Sequence, residues 1–241
     1  MAGKLGRAER DLHGVIAAIA TAVDARGEPD CARSIALARF LLANGCDGLN
    51  VLGTTGEATS FSLDQRRRVM NAYAESGLLL DRMMVGTGAA ALADAVTLTR
   101  HAAELGFAGA LVLPPFYYKG VSDDGLVAVI EAILSATAAR PIPLYLYHFP
   151  AQSGLPWHVA LVRRLVESFG GRIVGLKDSS GDMAYAREAA AIAPGFRVFP
   201  STEAALPEAR NSFVNAVLQA CGNARGQNSY IGGPNASNIA T

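Results

Sequence analysis

The run Ile173-Val174-Gly175-Leu176-Lys177-Asp178-Ser179-Ser180 places one lysine at the end of a short apolar stretch. Apolar residues at 173, 174 and 176, followed by Asp-Ser-Ser-Gly, read as a buried strand that stops at a helix-starting turn. Water is scarce at such a point. Burial disfavours an ammonium relative to a neutral amine, and a neutral amine is a nucleophile able to form a Schiff base with a carbonyl. The alternative is a strand-end lysine whose stem packs while its head reaches water or pairs with Asp178.

Three other stretches carry residues suited to the same chemistry. Gly53-Thr54-Thr55-Gly56-Glu57 sets two hydroxyls between glycines, so the backbone can approach a ligand closely and free N–H groups can hold a small carboxylate or phosphate. Its plainer reading is a glycine-rich turn with solvated threonines. Pro114-Pro-Phe-Tyr117-Tyr118-Lys119 presents two tyrosines that either do chemistry or pad a rim or a subunit contact. In Tyr145-Leu-Tyr147-His148-Phe149-Pro150, strict alternation puts Tyr145 and Tyr147 on one face and Leu146 and His148 on the other. A tyrosine at a catalytic rim follows from that alternation. His148, facing away from Tyr147, reads better as a structural histidine than as an acid or base. His13, His101 and His158 are scattered without ligand spacing, so the sequence offers no metal-dependent route.

The elements that must position these residues are regular. Half of the 241 residues are hydrophobic, enough for a substantial core. Strand-like runs at 12–23, 48–53, 82–88, 109–114, 142–149, 172–177 and 196–200 alternate with helical patterns at 31–43, 62–76, 91–105, 122–138, 157–169 and 182–192. Ser62-Leu-Asp-Gln65 reads as a capping box and Asn44-Gly45 as a helix end. Seven consecutive βα units without a linker predict an α/β chain folded as a (β/α)8 TIM barrel, a fold of about 250 residues, over an open doubly wound sheet. In such a barrel the active site lies where strands run out into βα loops, and Lys177 is at such an end.

Composition narrows the partner. Twenty-one basic and 21 acidic side chains leave no net charge, so nothing points to nucleic acid or an anionic membrane surface, and a small molecule is the expected substrate. Cys31, Cys46 and Cys221 are odd in number and widely spaced, which predicts reduced thiols in a cytoplasmic protein. The charged first residues and the absence of a long apolar run predict neither an export signal nor a membrane span.

Together, GTTGE at 53–57, PPFYYK at 114–119, YHFP at 147–150 and GLKDSSGD at 175–182 occur in an order that resembles the pyruvate-dependent class I aldolases. That family includes dihydrodipicolinate synthase, N-acetylneuraminate lyase and 2-keto-3-deoxygluconate aldolase, and the similarity runs from about Leu12 to Glu208. The resemblance implies that Lys177 forms an imine with the 2-oxo group of pyruvate or another 2-oxo acid. It makes Tyr147 the acid/base tyrosine, Thr55 its relay hydroxyl, and Tyr117 a tyrosine lent in some members across a subunit interface. Gly53, Thr54 and Thr55 would hold the substrate carboxylate. The resemblance requires no cofactor and no metal, and implies a homo-oligomer, dimer or tetramer.

Two departures stand out. Dihydrodipicolinate synthases carry an arginine at the position of Gln152, where it grips the carboxylate of the aldehyde substrate. A neutral amide does not replace that bidentate grip, so a hydroxylated aldehyde or sugar-acid partner of the 2-keto-3-deoxy type is expected, with 4-hydroxy-tetrahydrodipicolinate synthesis as the alternative. Gln152, Ser153, Ser179 and Glu203 are expected to face that second half of the substrate. Past Glu208, Ala216–Asn223 reads as a degraded eighth strand closing a barrel domain over 1–223, and the polar, glycine-rich 224–241 reads as a disordered tail. Such a C-terminus predicts a shortened copy of an aldolase, or an inactive paralogue.

Overall fold

Each apolar run becomes a strand and each amphipathic segment a helix in the computed structural model, which describes residues 12–201 and 218–220. The strands are β1 (Ile16–Ala18), β2 (Gly48–Val51), β3 (Met83–Gly86), β4 (Gly109–Val112), β5 (Leu144–His148), β6 (Ile173–Asp178), β7 (Arg197–Pro200) and β8 (Leu218–Ala220). The helices are α1 (Cys31–Ala43), α2 (Leu63–Glu75), α3 (Leu92–Leu105), α4 (Asp123–Ala136), α5 (Pro150–Ser153), α6 (Val159–Phe169) and α7 (Met183–Ala190). Ser62 and Gln65 form the reciprocal capping box at the start of α2, and Gly106, at φ +92°, ends α3.

All pairings are parallel, in the order β7-β6-β5-β4-β3-β2-β1-β8. The expected degraded strand is present as three residues, with Leu218 opposite Ile16 and Ala220 opposite Ala18. Among the described residues no ladder joins β7 to β8, so the structure shows a parallel α/β sheet of eight strands rather than a complete ring. The tail at 224–241 lies outside the described residues.

Burial divides into two layers. Leu49, Val51, Leu144, Leu146 and Val198 pack outward with the helices in the larger cluster. Ile16, Ala18, Met84, Leu111, Tyr145, Tyr147 and Phe199 pack with one another on the opposite face. Alternation along parallel strands covered on both faces accounts for the division. Glycine makes room for the aromatic filling of the inner layer. A Cβ on Gly109 would lie 2.5 Å from the Tyr145 ring, and one on Gly175 would lie 2.9 Å from it and 2.5 Å from the Arg197 carbonyl oxygen.

Two boundaries differ from expectation. The apolar run 12–23 yields only three strand residues, because after Ala18 the chain leaves the ladder to cover the turn beyond β2. Thr21 Oγ1 donates there to the Gly56 carbonyl at 2.8 Å. The four-residue α5 was not expected; Pro150 opens it and Gly154, at φ +66°, closes it.

Candidate active site

β5 and β6 do not pair in simple succession. Leu144 is opposite Ile173 but Tyr145 is opposite Gly175, so Val174 is an extra residue in the ladder. Beyond this bulge Tyr147 is opposite Lys177 and His148 opposite Asp178. Without the extra residue Tyr147 would meet Leu176, and Lys177 would fall out of step with it. The bulge therefore sets Lys177 opposite Tyr147.

Lys177 is 3 % exposed, and its Nζ lies 4.4 Å from the centroid of the Tyr147 ring, itself 3 % exposed. That is cation–π distance. Lys177 forms no ion pair among the described residues, and the Asp178 carboxylate instead accepts the Ser180 N–H at 2.9 Å. Burial raises the Asp178 carboxyl above the usual range, with the Ser180 hydrogen bonds opposing the rise. The reading of Lys177 as a surface lysine tied to Asp178 does not hold.

The Tyr147 hydroxyl lies between two others. Thr54 Oγ1 is 3.2 Å from it, and Ser179 Oγ donates to it at 3.5 Å. Thr54, not Thr55, thus meets the tyrosine. Two adjacent threonines look alike in sequence; the backbone selects between them. Leu52, at φ +53°, and Glu57, at φ +50°, bracket the turn in the left-handed region, strain of a kind that collects at functional loops. Gly53 is buried, and a Cβ there would lie 2.6 Å from Nδ2 of Asn50, whose own side chain is wholly buried. Ser179, placed by its N–H bond to the His148 carbonyl at 2.8 Å, joins the tyrosine.

The remaining expected residues separate. Tyr117 and Tyr118 are each 72 % exposed and meet edge to face at 5.1 Å. Lys119 holds their loop: its Nζ donates to the Phe116 carbonyl and, at 2.7 Å, to that of Ser153. Ser153 lines the cavity described below, and its hydroxyl donates to the Phe149 and Leu155 carbonyls and accepts the Leu155 N–H. Gln152 is exposed and lines the same cavity. Glu203 lies outside the described residues. His148 is structural, as its strand parity implied: Nδ1 accepts the Trp157 N–H at 3.1 Å, and the ring stacks on Tyr185 at 4.1 Å. Burial drives its pKa down to about 4, nearby His158 adds to the fall and Asp182 opposes it, so the ring is neutral at pH 7.

A cavity of about 200 Å³ opens against this group, lined by Gly53, Thr54, Tyr147, Gln152 and, on its other wall, Arg66, Gly86 and Gly88. Arg66 was not anticipated. It is 4 % exposed, and its guanidinium donates to the Gly86 carbonyl at 2.9 Å and the Gly88 carbonyl at 3.1 Å. Its signal was its position: 66 shares the buried face of α2 with Val69, Met70 and Tyr73, although it begins a run of three arginines that reads as solvated. Among the described residues no cluster of His, Cys, Asp or Glu could hold a metal ion, and no helix is long and apolar enough to cross a membrane.

The arrangement has known counterparts. Residues 11–229 match the profile of the dihydrodipicolinate synthetase family. An uncharacterized DapA-like lyase of Chloroflexus aurantiacus is 37% identical over 68% of this chain and 54% of its own length. A 4-hydroxy-tetrahydrodipicolinate synthase of Synechococcus is 38% identical over 69% and 54%. The chain spans about half the length of the curated relatives it matches. Among solved structures, dihydrodipicolinate synthase from Agrobacterium tumefaciens superposes with a TM-score of 0.82 at 29% identity, covering 86% of this chain and 72% of that one. Proteus mirabilis N-acetylneuraminate lyase does so at 0.78 and 25% identity, covering 87% and 70%. A prophage protein of the dihydrodipicolinic acid synthase family from E. coli K12, solved in complex with pyruvate, reaches 0.78 at 27% identity, covering 86% and 69%. With the profile matched across nearly the whole chain and the motif-bearing strand ends in the same fold, this chain belongs to the dihydrodipicolinate synthetase family.

Proposed function

We propose that the chain is a Schiff-base-forming class I aldolase or lyase that makes or breaks a carbon–carbon bond between pyruvate and an aldehyde. The observation that carries this reading is the buried Lys177 packed on Tyr147, whose hydroxyl lies within reach of Thr54 and Ser179. In the condensing direction the Lys177 amine adds to C2 of pyruvate, and loss of water leaves an iminium. Loss of a proton from C3 gives an enamine, whose C3 attacks the aldehyde carbon; the new alkoxide takes up a proton, and water hydrolyses the iminium to release product and amine. Tyr147 is placed to carry the protons and Thr54 to relay them, an arrangement worth about 10²–10⁴ in rate. The Gly53–Thr55 turn supports the carboxylate of the keto acid. Catalysis through these side chains calls on no metal or cofactor.

The aldehyde is of the 2-keto-3-deoxy sugar acid type, because Gln152 stands where a second guanidinium would otherwise be. The alternative, 4-hydroxy-tetrahydrodipicolinate synthesis, is favoured by the curated relatives. The exposed Tyr117 and Tyr118 support a homo-oligomer in which a partner covers them. The free Cys31 supports a cytoplasmic setting.

Borohydride trapping tests the reading. The chain has three lysines, Lys4, Lys119 and Lys177, so peptide mass spectrometry assigns any adduct without ambiguity. Reduction after incubation with pyruvate should load the Lys177 peptide. A folded protein that stays unmodified there would sink the proposal.

A further inference from the structure

Arg66 is buried on α2, and among the described residues its hydrogen bonds go to two main-chain carbonyls. Nη2 donates to that of Gly86 at 2.9 Å and Nη1 to that of Gly88 at 3.1 Å. Burial pushes its pKa down to about 10, so it is a cation at neutral pH. An apolar side chain of similar volume would suit the buried face of α2 without that charge, so stability does not explain the guanidinium. Its effect is geometric. It spans the exit of β3, where the Thr87 N–H donates to the Leu111 carbonyl at 2.9 Å and the Thr99 hydroxyl donates to that of Thr87 at 2.8 Å. The segment from Gly86 to Gly88 is thereby held from α2, α3 and β4 at once.

This exit supports the turn after β2. The β2–β3 ladder ends with Val51 opposite Val85, and beyond it Gly86 meets the Leu52 carbonyl so closely that a Cβ on Gly86 would collide with that oxygen. Leu52 is at φ +53°, a conformation that leucine keeps only where its surroundings impose it. Two residues on, Thr54 Oγ1 lies 3.2 Å from the Tyr147 hydroxyl. Resting on the pyruvate-aldolase reading, we propose that Arg66 is a positioning residue of the proton relay: by clamping Gly86 and Gly88 it fixes the seat of the Leu52 carbonyl, and with it the place of Thr54 against Tyr147. A bidentate fork suits that task, since a single-point cation reaches one carbonyl and leaves the other free.

Hydrogen exchange at C3 of pyruvate reads the relay without any aldehyde. The C3 hydrogens are replaced by solvent deuterium through the Lys177 iminium and its enamine, whereas borohydride trapping reads the amine alone. Each chain is incubated with pyruvate in D2O, loss of the methyl signal is followed by proton NMR, and the final extent of adduct on the Lys177 peptide is weighed after reduction. Arg66→Met should slow exchange about tenfold and leave the extent of trapping unchanged. Combined with Thr54→Val it should slow exchange no more than about twofold beyond Thr54→Val alone, because both changes remove the same contact. Losses that multiply to about a hundredfold overturn the proposal, since Arg66 then acts independently of Thr54. Exchange at the unchanged rate in a folded Arg66→Met chain also overturns it, and so does trapping that falls with exchange, which assigns Arg66 to binding the keto acid. If Arg66→Met does not fold, Arg66→Lys takes its place: a smaller loss of exchange with full trapping supports the clamp, and no loss overturns it. If the unchanged chain neither traps pyruvate nor exchanges its C3 hydrogens, the aldolase reading fails, and crystal structures of the unchanged and variant chains decide the clamp separately. Thr54 Oγ1 moved beyond hydrogen-bond distance of the Tyr147 hydroxyl in the variant retains it, and an unmoved Thr54 removes it.

Discussion

Lys177 and Tyr147 are register partners across β5 and β6, with the lysine nitrogen 4.4 Å from the centre of the phenol ring. The pair is held by main-chain hydrogen bonds of a buried ladder rather than by loops, so its geometry does not depend on a ligand to form. Removing the amine while leaving the ladder intact should therefore abolish chemistry without unfolding the chain. Lys177→Ala should show no pyruvate adduct on the 177 peptide and a rate at least about a thousandfold lower in an aldehyde-consumption assay, with a cooperative melt retained.

The hydroxyl of Tyr147 is a separate matter from its ring. Tyr147→Phe preserves the surface on which Lys177 packs and removes only the proton carrier. Turnover should fall by about 10²–10³ while the Lys177 adduct still forms, more slowly. Equal losses in trapping and turnover would instead assign Tyr147 to packing.

Thr54 and Thr55 make opposite predictions. Thr54 Oγ1 lies 3.2 Å from the phenol oxygen, and Thr55 makes no such contact. Thr54→Val should lower kcat by roughly tenfold or more, whereas Thr55→Val should act mainly on KM for pyruvate. A larger kcat loss at Thr55 would return the relay to that residue.

Acid should weaken the fold through His148. Its folded pKa, about 4, lies below the ordinary 6.5, so the unfolded chain binds the proton more readily between those values. Stability is then fully present above about pH 6.5 and is lost as pH falls toward 4. Discounted for solvent at the ring edge, the loss is on the order of 2 kcal/mol. Asp178, raised by burial, contributes with the opposite sign at the acid end of that range. His148→Asn, which can still accept the Trp157 N–H, should flatten the decline of Tm with acidity.

The inner layer has no spare volume around Tyr145. Gly175→Ala would press a methyl group 2.5 Å from a main-chain carbonyl, whereas at Gly109 the nearest atom, also at 2.5 Å, belongs to the Tyr145 ring. Rings move more readily than ladders. Gly175→Ala should cost about 1–3 kcal/mol and several degrees of Tm, and Gly109→Ala less, as thermal melts would show.

The order of elements was legible because apolar runs and helical spacing alternate without interruption from Ile16 to Pro200. The strand-end residues Lys177 and Tyr147 were legible for the same reason: a residue type out of keeping with an apolar strand stands out. What was lost depended on details of one residue. Val174 reads as another apolar strand position, so the bulge that brings Lys177 opposite Tyr147 left no mark. The choice between Thr54 and Thr55 rests on the left-handed turn begun by Leu52, a conformation leucine does not advertise. The bonds that the Ser153 hydroxyl makes in the turn after α5 have no mark in the sequence. Arg66 was hidden by its neighbours Arg67 and Arg68, although its spacing on α2 marked it as inward.

The ladder between β1 and β8 joins residues 16–18 to 218–220, the most widely separated partners in the sheet. Every other ladder in it joins neighbouring strands along the chain. Entropy charges longer loops more, and contacts between distant residues form late. During folding, β2 through β7 can zip neighbour by neighbour as the chain emerges, while one side of β1 waits for the last strand to arrive. Until then that side is an open parallel edge, the place where a second copy of the chain could pair by mistake.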